Sequence, residues 1–143
     1  MGIYTYQSVN LIIKSKELME NELTEIEQQF YRFLKKELFF SKITIRSKIA
    51  IKDLCKERND VVIMYGRDNY LTEDILIDFV LYKDDKAIAG IEVIDEPEEL
   101  ELKKGEEMLI NAIFNRLGYA FFKVTDINRL KENAKAIRKA LKN

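Results

Sequence analysis

Two acids stand where acids are costly. Asp78 lies inside Ile75-Leu-Ile-Asp-Phe-Val-Leu-Tyr, and Glu92 lies inside Ala87-Ile-Ala-Gly-Ile-Glu-Val-Ile. Both stretches are apolar at even and odd positions alike, which predicts strands covered on both faces. Taking an ionised carboxylate out of water without a partner is strongly unfavourable. A divalent cation held by both acids would balance their charges and explain where they sit. Two simpler accounts stand beside it: each acid could lie at a solvated strand end, or pair with a buried Lys or Arg. Glu27 is the third acid of interest. It follows Thr24 at capping-box spacing, and it shares a helix face with Leu23, Phe30 and Leu34. It is either the capping partner of Thr24 or a third carboxylate for the same cation.

The rest of the composition narrows the chemistry. The chain has 143 residues, enough for one domain with a sizeable core, and the whole of 1–143 reads as that domain. It contains no His, which removes Ser-His and Cys-His nucleophiles, His-ligated zinc and imidazole acid–base chemistry. Cys55 is the single cysteine, so no intrachain disulfide can form, which fits a reducing cytoplasmic setting. Catalysis must then rest on carboxylates, Lys, Tyr or a metal held by oxygen ligands. The longest apolar run, Met108 to Phe114, is interrupted by Asn111 and too short to span a bilayer, and no signal-peptide pattern opens the chain. No membrane association is expected.

A net charge of -1 gives no global attraction to nucleic acid. The distribution is uneven. Glu92, Asp95, Glu96, Glu98, Glu99, Glu101, Glu106 and Glu107 crowd one stretch, against Lys103 and Lys104. That crowd is either a solvated loop and first helical turn, where acids complement the helix dipole, or a surface for a basic protein partner through residues 95–107. The C-terminal stretch from Arg129 is basic.

The elements that must hold these residues follow from periodicity and turn chemistry. Residues 1–20 read as an arm or a short strand around Val9–Ile13. A helix is expected from Thr24 (with Asn21 a competing cap) to about Phe39, with Leu23, Ile26, Phe30, Phe33, Leu34 and Leu38 on its apolar side. Alternation at Ile43, Ile45, Ile49 and Ile51 predicts a strand broken near Ser47. Asp53 to Arg58 reads as a short helix, Val61–Tyr65 is apolar, and Gly66-Arg-Asp-Asn reads as a turn or loop. Lys83-Asp-Asp-Lys is a tight turn joining the two acid-bearing strands into an antiparallel hairpin. A helix from about Leu102 to Leu117 ends at Gly118, and Tyr119–Val124 is a further strand. Strand, helix, strand in that order implies a right-handed parallel crossover. Asp126 caps a last helix reaching Leu141.

An acid on one strand, a hairpin turn, and Glu-x-x on the next strand before a helix resembles the PD-(D/E)xK nuclease superfamily. Within it, the chain is similar to a small bacterial group whose members are often fused to helicases or zinc ribbons. Three segments carry the likeness: Leu23-Thr-Glu-Ile-Glu-Gln-Gln-Phe-Tyr with Leu34, Ile77-Asp-Phe-Val-Leu, and Ala89-Gly-Ile-Glu-Val-Ile-Asp. Asn111 to Val124 continues it, so it covers roughly residues 22–125.

The resemblance implies an α/β protein with a restriction-endonuclease-like core, a mixed central sheet flanked by helices in the order α-β-β-β-α-β-α. It also implies Mg²⁺- or Mn²⁺-dependent hydrolysis of DNA phosphodiesters, with Asp78, Glu92 and the Val93 carbonyl at the metal, and Glu27 as an accessory ligand. The metal would activate water and stabilise charge on the phosphate. The superfamily's Lys two residues after the Glu falls at Ile94, which can neither orient water nor stabilise charge, and the bacterial group's His is missing. Lys103, Lys104 or Lys123 could supply the lysine from another position. If none does, the fold would serve as a protein- or nucleic-acid-binding module or as a homodimer.

Overall fold

The computed structural model describes residues 22–66, 75–94 and 104–142. The predicted strand at 9–13, the turn after Gly66, Lys103 and the acidic stretch 95–103 lie outside the described residues.

The first helix, α1 (Glu25–Glu37), begins at Thr24 with a complete capping box. The Glu27 amide donates to Thr24 Oγ1 at 3.2 Å, and the Thr24 amide donates to Glu27 Oε1 at 2.9 Å. Two otherwise orphaned amides are thereby satisfied. Strand β1 (Ile43–Ala50) leads directly into a single helical turn, α2 (Ile51–Leu54), and then α3 (Asn59–Gly66). The helix expected over Asp53–Arg58 is therefore displaced. Ile51, Cys55 and Val61 are all buried, and burying them takes two short helices joined by a turn at Arg58.

The hairpin is as its turn chemistry requires. Strands β2 (Leu76–Lys83) and β3 (Lys86–Val93) are antiparallel, joined through Asp84 and Asp85. Both turn residues have positive φ, 53° and 63°, the type I′ geometry whose twist matches the flanking strands. A bulge between Leu81 and Tyr82 leaves Ile88 as the extra residue. Helix α4 (Lys104–Leu117) stops at Gly118, whose φ is 78°. Its amide bonds to Asn115 O and that of Tyr119 to Phe114 O, a Schellman closure. Strand β4 (Ala120–Val124) then lies parallel to β3. The last helix, α5 (Leu130–Leu141), opens with a 3-10 turn over Ile127–Arg129 rather than directly at Asp126.

The four strands form one mixed sheet in the order β1-β2-β3-β4. One face packs on α1 and α5, with Phe30, Leu34, Phe79, Ile91, Ala134 and Ile137 at its centre. The other packs on α2, α3 and α4 through Ile51, Val61, Ile77, Ile110, Ile113 and Phe114. Covering both faces explains why β2 and β3 are apolar on both sides. Gly90 is required by this packing: a Cβ there would lie 2.7 Å from Phe114 Cζ and closer still to Cε2. Among the described residues, no helix is long and apolar enough to cross a membrane.

The sheet carries one irregularity that bears on function. In a regular strand, residues two or four apart share a face. Yet Ile45 packs on the α1/α5 side and Ile49 on the other, while Ile77 and Phe79 also lie on opposite sides. Both strands change phase at the same level. On β1 the residue between is Lys48, whose φ of 52° lies in the left-handed region that side chains avoid. On β2 the residue is Asp78.

Candidate functional site

The pairing registers place the charged residues in one row. Ser47 pairs with Phe79 and Ile49 with Ile77, which sets Lys48 opposite Asp78. Phe79 pairs with Ile91, which sets Asp78 opposite Glu92, and Glu92 pairs with Lys123. Lys48, Asp78, Glu92 and Lys123 thus cross all four strands side by side, and Glu27 reaches the row from the first turn of α1.

The three acids are deeply buried, with Glu27 4%, Asp78 5% and Glu92 6% exposed. Lys48 binds two of them at once: Nζ lies 2.6 Å from Glu27 Oε2 and 2.7 Å from Asp78 Oδ1. Asp78 Oδ2 accepts the Val93 amide at 2.9 Å. Glu27 is therefore the capping partner of Thr24 through one oxygen, while its other oxygen accepts from Lys48.

The electrostatics follow from these contacts. Burial would push the Asp78 carboxyl up, but hydrogen bonds from Glu92, Lys48 and the Val93 amide outweigh it, and the pKa falls below the ordinary Asp value. Burial also disfavours the Lys48 ammonium, but Asp78 and Glu27 outweigh it and raise its pKa. Lys48 is therefore a firmly protonated cation in a nest of acids.

The remaining expected residues are distributed as follows. Val93 contributes its amide to Asp78, and its side chain is in the core. Ile94 is 5% exposed, and its amide bonds to Val124 O at 2.8 Å, so this position is apolar framework. Lys104 begins α4. Lys123, beside Glu92, is bound by both oxygens of Glu107 at 2.8 and 2.9 Å. A cavity of about 10 Å³, space for one water, lies among Glu92, Ile94, Glu106, Glu107, Ile110 and Lys123.

Lys48 is the residue that reading the sequence missed. Its signal was there, as the interruption between Ile45 and Ile49, but the register that aligns it with Asp78 depends on strand pairing across 30 positions.

Three carboxyls are the donor set that suits a hard divalent cation. Among the described residues, however, no group of three or more His, Cys, Asp or Glu side chains is arranged to hold a metal ion. The space between Glu27 and Asp78 is taken by the Lys48 ammonium. The donors thus fit such an ion by chemistry, while their present arrangement is organised around a lysine.

No family model matches the chain, and neither does any curated protein or any solved structure.

Proposed function

We propose that this protein is a metal-dependent nuclease of the PD-(D/E)xK type, hydrolysing phosphodiester bonds in DNA. One observation carries the proposal: Glu27 and Asp78 meet at Lys48, and the strand register sets the buried Glu92 opposite Asp78 at the same level of the sheet. The element order and the pairing, antiparallel for β1-β2-β3 and parallel for β3-β4, support a restriction-endonuclease-like core.

Under this proposal Asp78 and Glu92 hold a Mg²⁺ or Mn²⁺ ion, and Glu27 assists from α1. A bound ion of this kind supplies a lowered water pKa and charge stabilisation on phosphate oxygens. The Val93 amide fixes the Asp78 carboxylate so that one oxygen stays turned to the site. Lys48 provides the positive charge that the buried Ile94 cannot. Coming from β1 instead of β3, it still faces the same acids.

Cleavage of single- and double-stranded DNA with Mg²⁺ or Mn²⁺ tests the proposal. Activity should be lost in Asp78→Asn and Glu92→Gln, and chelation should abolish it in the wild type. No cleavage of any nucleic acid and no ion binding would overturn it.

The Lys48 contacts also favour a second reading. An ammonium satisfying Glu27 and Asp78 is what a site without metal chemistry would hold. The fold would then be a scaffold for a protein or nucleic-acid partner. Binding of DNA that needs no divalent ion and survives Asp78→Asn would support it.

A further inference from the structure

We infer that the cleft at the turn end of the β2-β3 hairpin binds single-stranded nucleic acid, with Phe39 and Phe40 stacking on bases and Lys36, Lys42, Lys83 and Lys142 holding phosphates. The inference gives a location to the nucleic-acid partner that both readings above allow, and it rests on residues outside the acid row.

Three observations support it. First, place: the end of α1, the start of β1, the hairpin turn and the end of α5 enclose a cleft of about 920 Å³. Glu27 lies on the first turn of α1 and Lys36 on its last, about 14 Å apart at the helical rise, so the cleft is separate from the acids. Second, charge: Arg138 in the cleft is bound to Glu37 at 2.8 Å, but among the described residues no ion pair engages Lys36, Lys42, Lys83 or Lys142. Of the residues lining the cleft, Asp84 is the one acid besides Glu37. Helix dipoles account for Lys36 and Lys142 at the ends of α1 and α5, but not for Lys42 and Lys83 beside the strand ends. Third, rings: Phe39 is 72% and Phe40 97% exposed, and they share a second hollow with Arg32, Lys35 and Lys36. These rings are not on a slack segment. Leu38 before them is buried, and Ser41 after them is tied to Leu38 O by its amide at 3.0 Å and its hydroxyl at 2.6 Å. The two rings meet edge to face, 5.0 Å apart. Single exposed apolar side chains are ordinary, but adjacent rings held out among unpaired cations point to a ligand with both anionic and flat apolar parts.

A strand with unpaired bases has both. Cations track its phosphates and aromatic rings take its bases, without sequence preference. A duplex presents the same phosphates but keeps its base faces stacked, so the rings favour a single strand. A flat bilayer does not enter a concave cleft.

Fluorescence anisotropy of a labelled oligothymidylate with the whole chain in chelator tests this. The wild type should bind. Phe40→Ala should weaken binding at least fivefold and leave its salt dependence unchanged. A Lys42→Gln, Lys83→Gln double variant should weaken binding and reduce the slope of log affinity against log salt by about 1.4, or about 0.7 for each lost contact. All three side chains are exposed, so the variants should fold as the wild type does. Binding that is unaffected by these changes overturns the inference while leaving a nucleic-acid partner in place. Duplex binding as tight as that of the single strand also overturns it. No binding of the strand, or binding only to phosphatidylserine vesicles, overturns it whatever the cleavage assay gives.

Discussion

Replacing Lys48 by Ala in the metal-free protein removes the cation that, among the described residues, joins Glu27 and Asp78. Removing one partner of a fully buried ion pair costs about 3–5 kcal/mol, chiefly because the other charge is left stranded. Here two carboxylates lose their partner, which argues for the upper end. Against that, Lys48 is 23% exposed, so water reaches the vacated space and solvates the stranded charge. The balance is a loss of about 2–4 kcal/mol at pH 7. Lys48→Gly should be less harmful, by up to about 1 kcal/mol, because glycine carries no penalty at a φ of 52°. In an Asp78→Asn background the cost of Lys48→Ala should shrink by at least 1 kcal/mol, since half of the stranded charge is already gone. Urea unfolding in chelator measures all of these. A loss below about 1 kcal/mol, or strict additivity with Asp78→Asn, would refute the view that the ammonium holds this cluster together.

Other outcomes follow from the same structure. Gly90→Ala should destabilise by about 1–3 kcal/mol in urea unfolding, because its Cβ would collide with the Phe114 ring, which is 1% exposed and cannot retreat. Thr24→Ala should cost about 1 kcal/mol through the lost cap, and should also weaken ion binding in calorimetry by freeing the Glu27 side chain that the box orients. Stability measured against pH should have limbs of opposite sign. The Asp78 pKa lies below its unfolded value, so its contribution is full above about pH 4 and is lost as pH falls through the folded value. The Lys48 pKa is raised, so its contribution is full below about pH 10 and is lost as pH rises through the folded value. Asp78→Asn should flatten the acid limb, and an unchanged acid limb would remove Asp78 as its source. Cys55, buried with its thiol pushed up to about 11, should resist alkylation at pH 8 in the native protein and react fully on unfolding.

Much of this architecture could be read from residue order alone. The hairpin was legible because Asp84-Asp85 lies between two apolar runs, and α1 because Thr24 and Glu27 stand three apart before a periodic apolar face. Gly118 marked the end of α4 for the same kind of local reason. The region from Ile51 to Gly66 was not legible, since short apolar runs suit a strand or a helix and only packing under the sheet decides. The site divides along the same line. Asp78 and Glu92 stood out because each is an acid in an apolar run, a contrast visible within a few residues. Lys48 did not, because a lysine in a half-exposed strand is ordinary until its left-handed backbone and its register with Asp78 are known. Its long-range contacts also explain the strand break expected near Ser47: the ladder runs on, but its faces exchange.

The proposed function stands or falls with Glu27, Asp78 and Glu92 forming a cation site that a divalent ion can occupy. Crystals of the whole chain grown in Mn²⁺ and measured at the manganese absorption edge test it most directly. An anomalous peak bounded by Asp78 and Glu92 carboxyl oxygens is expected. The absence of any peak there at high Mn²⁺ would rule the site out.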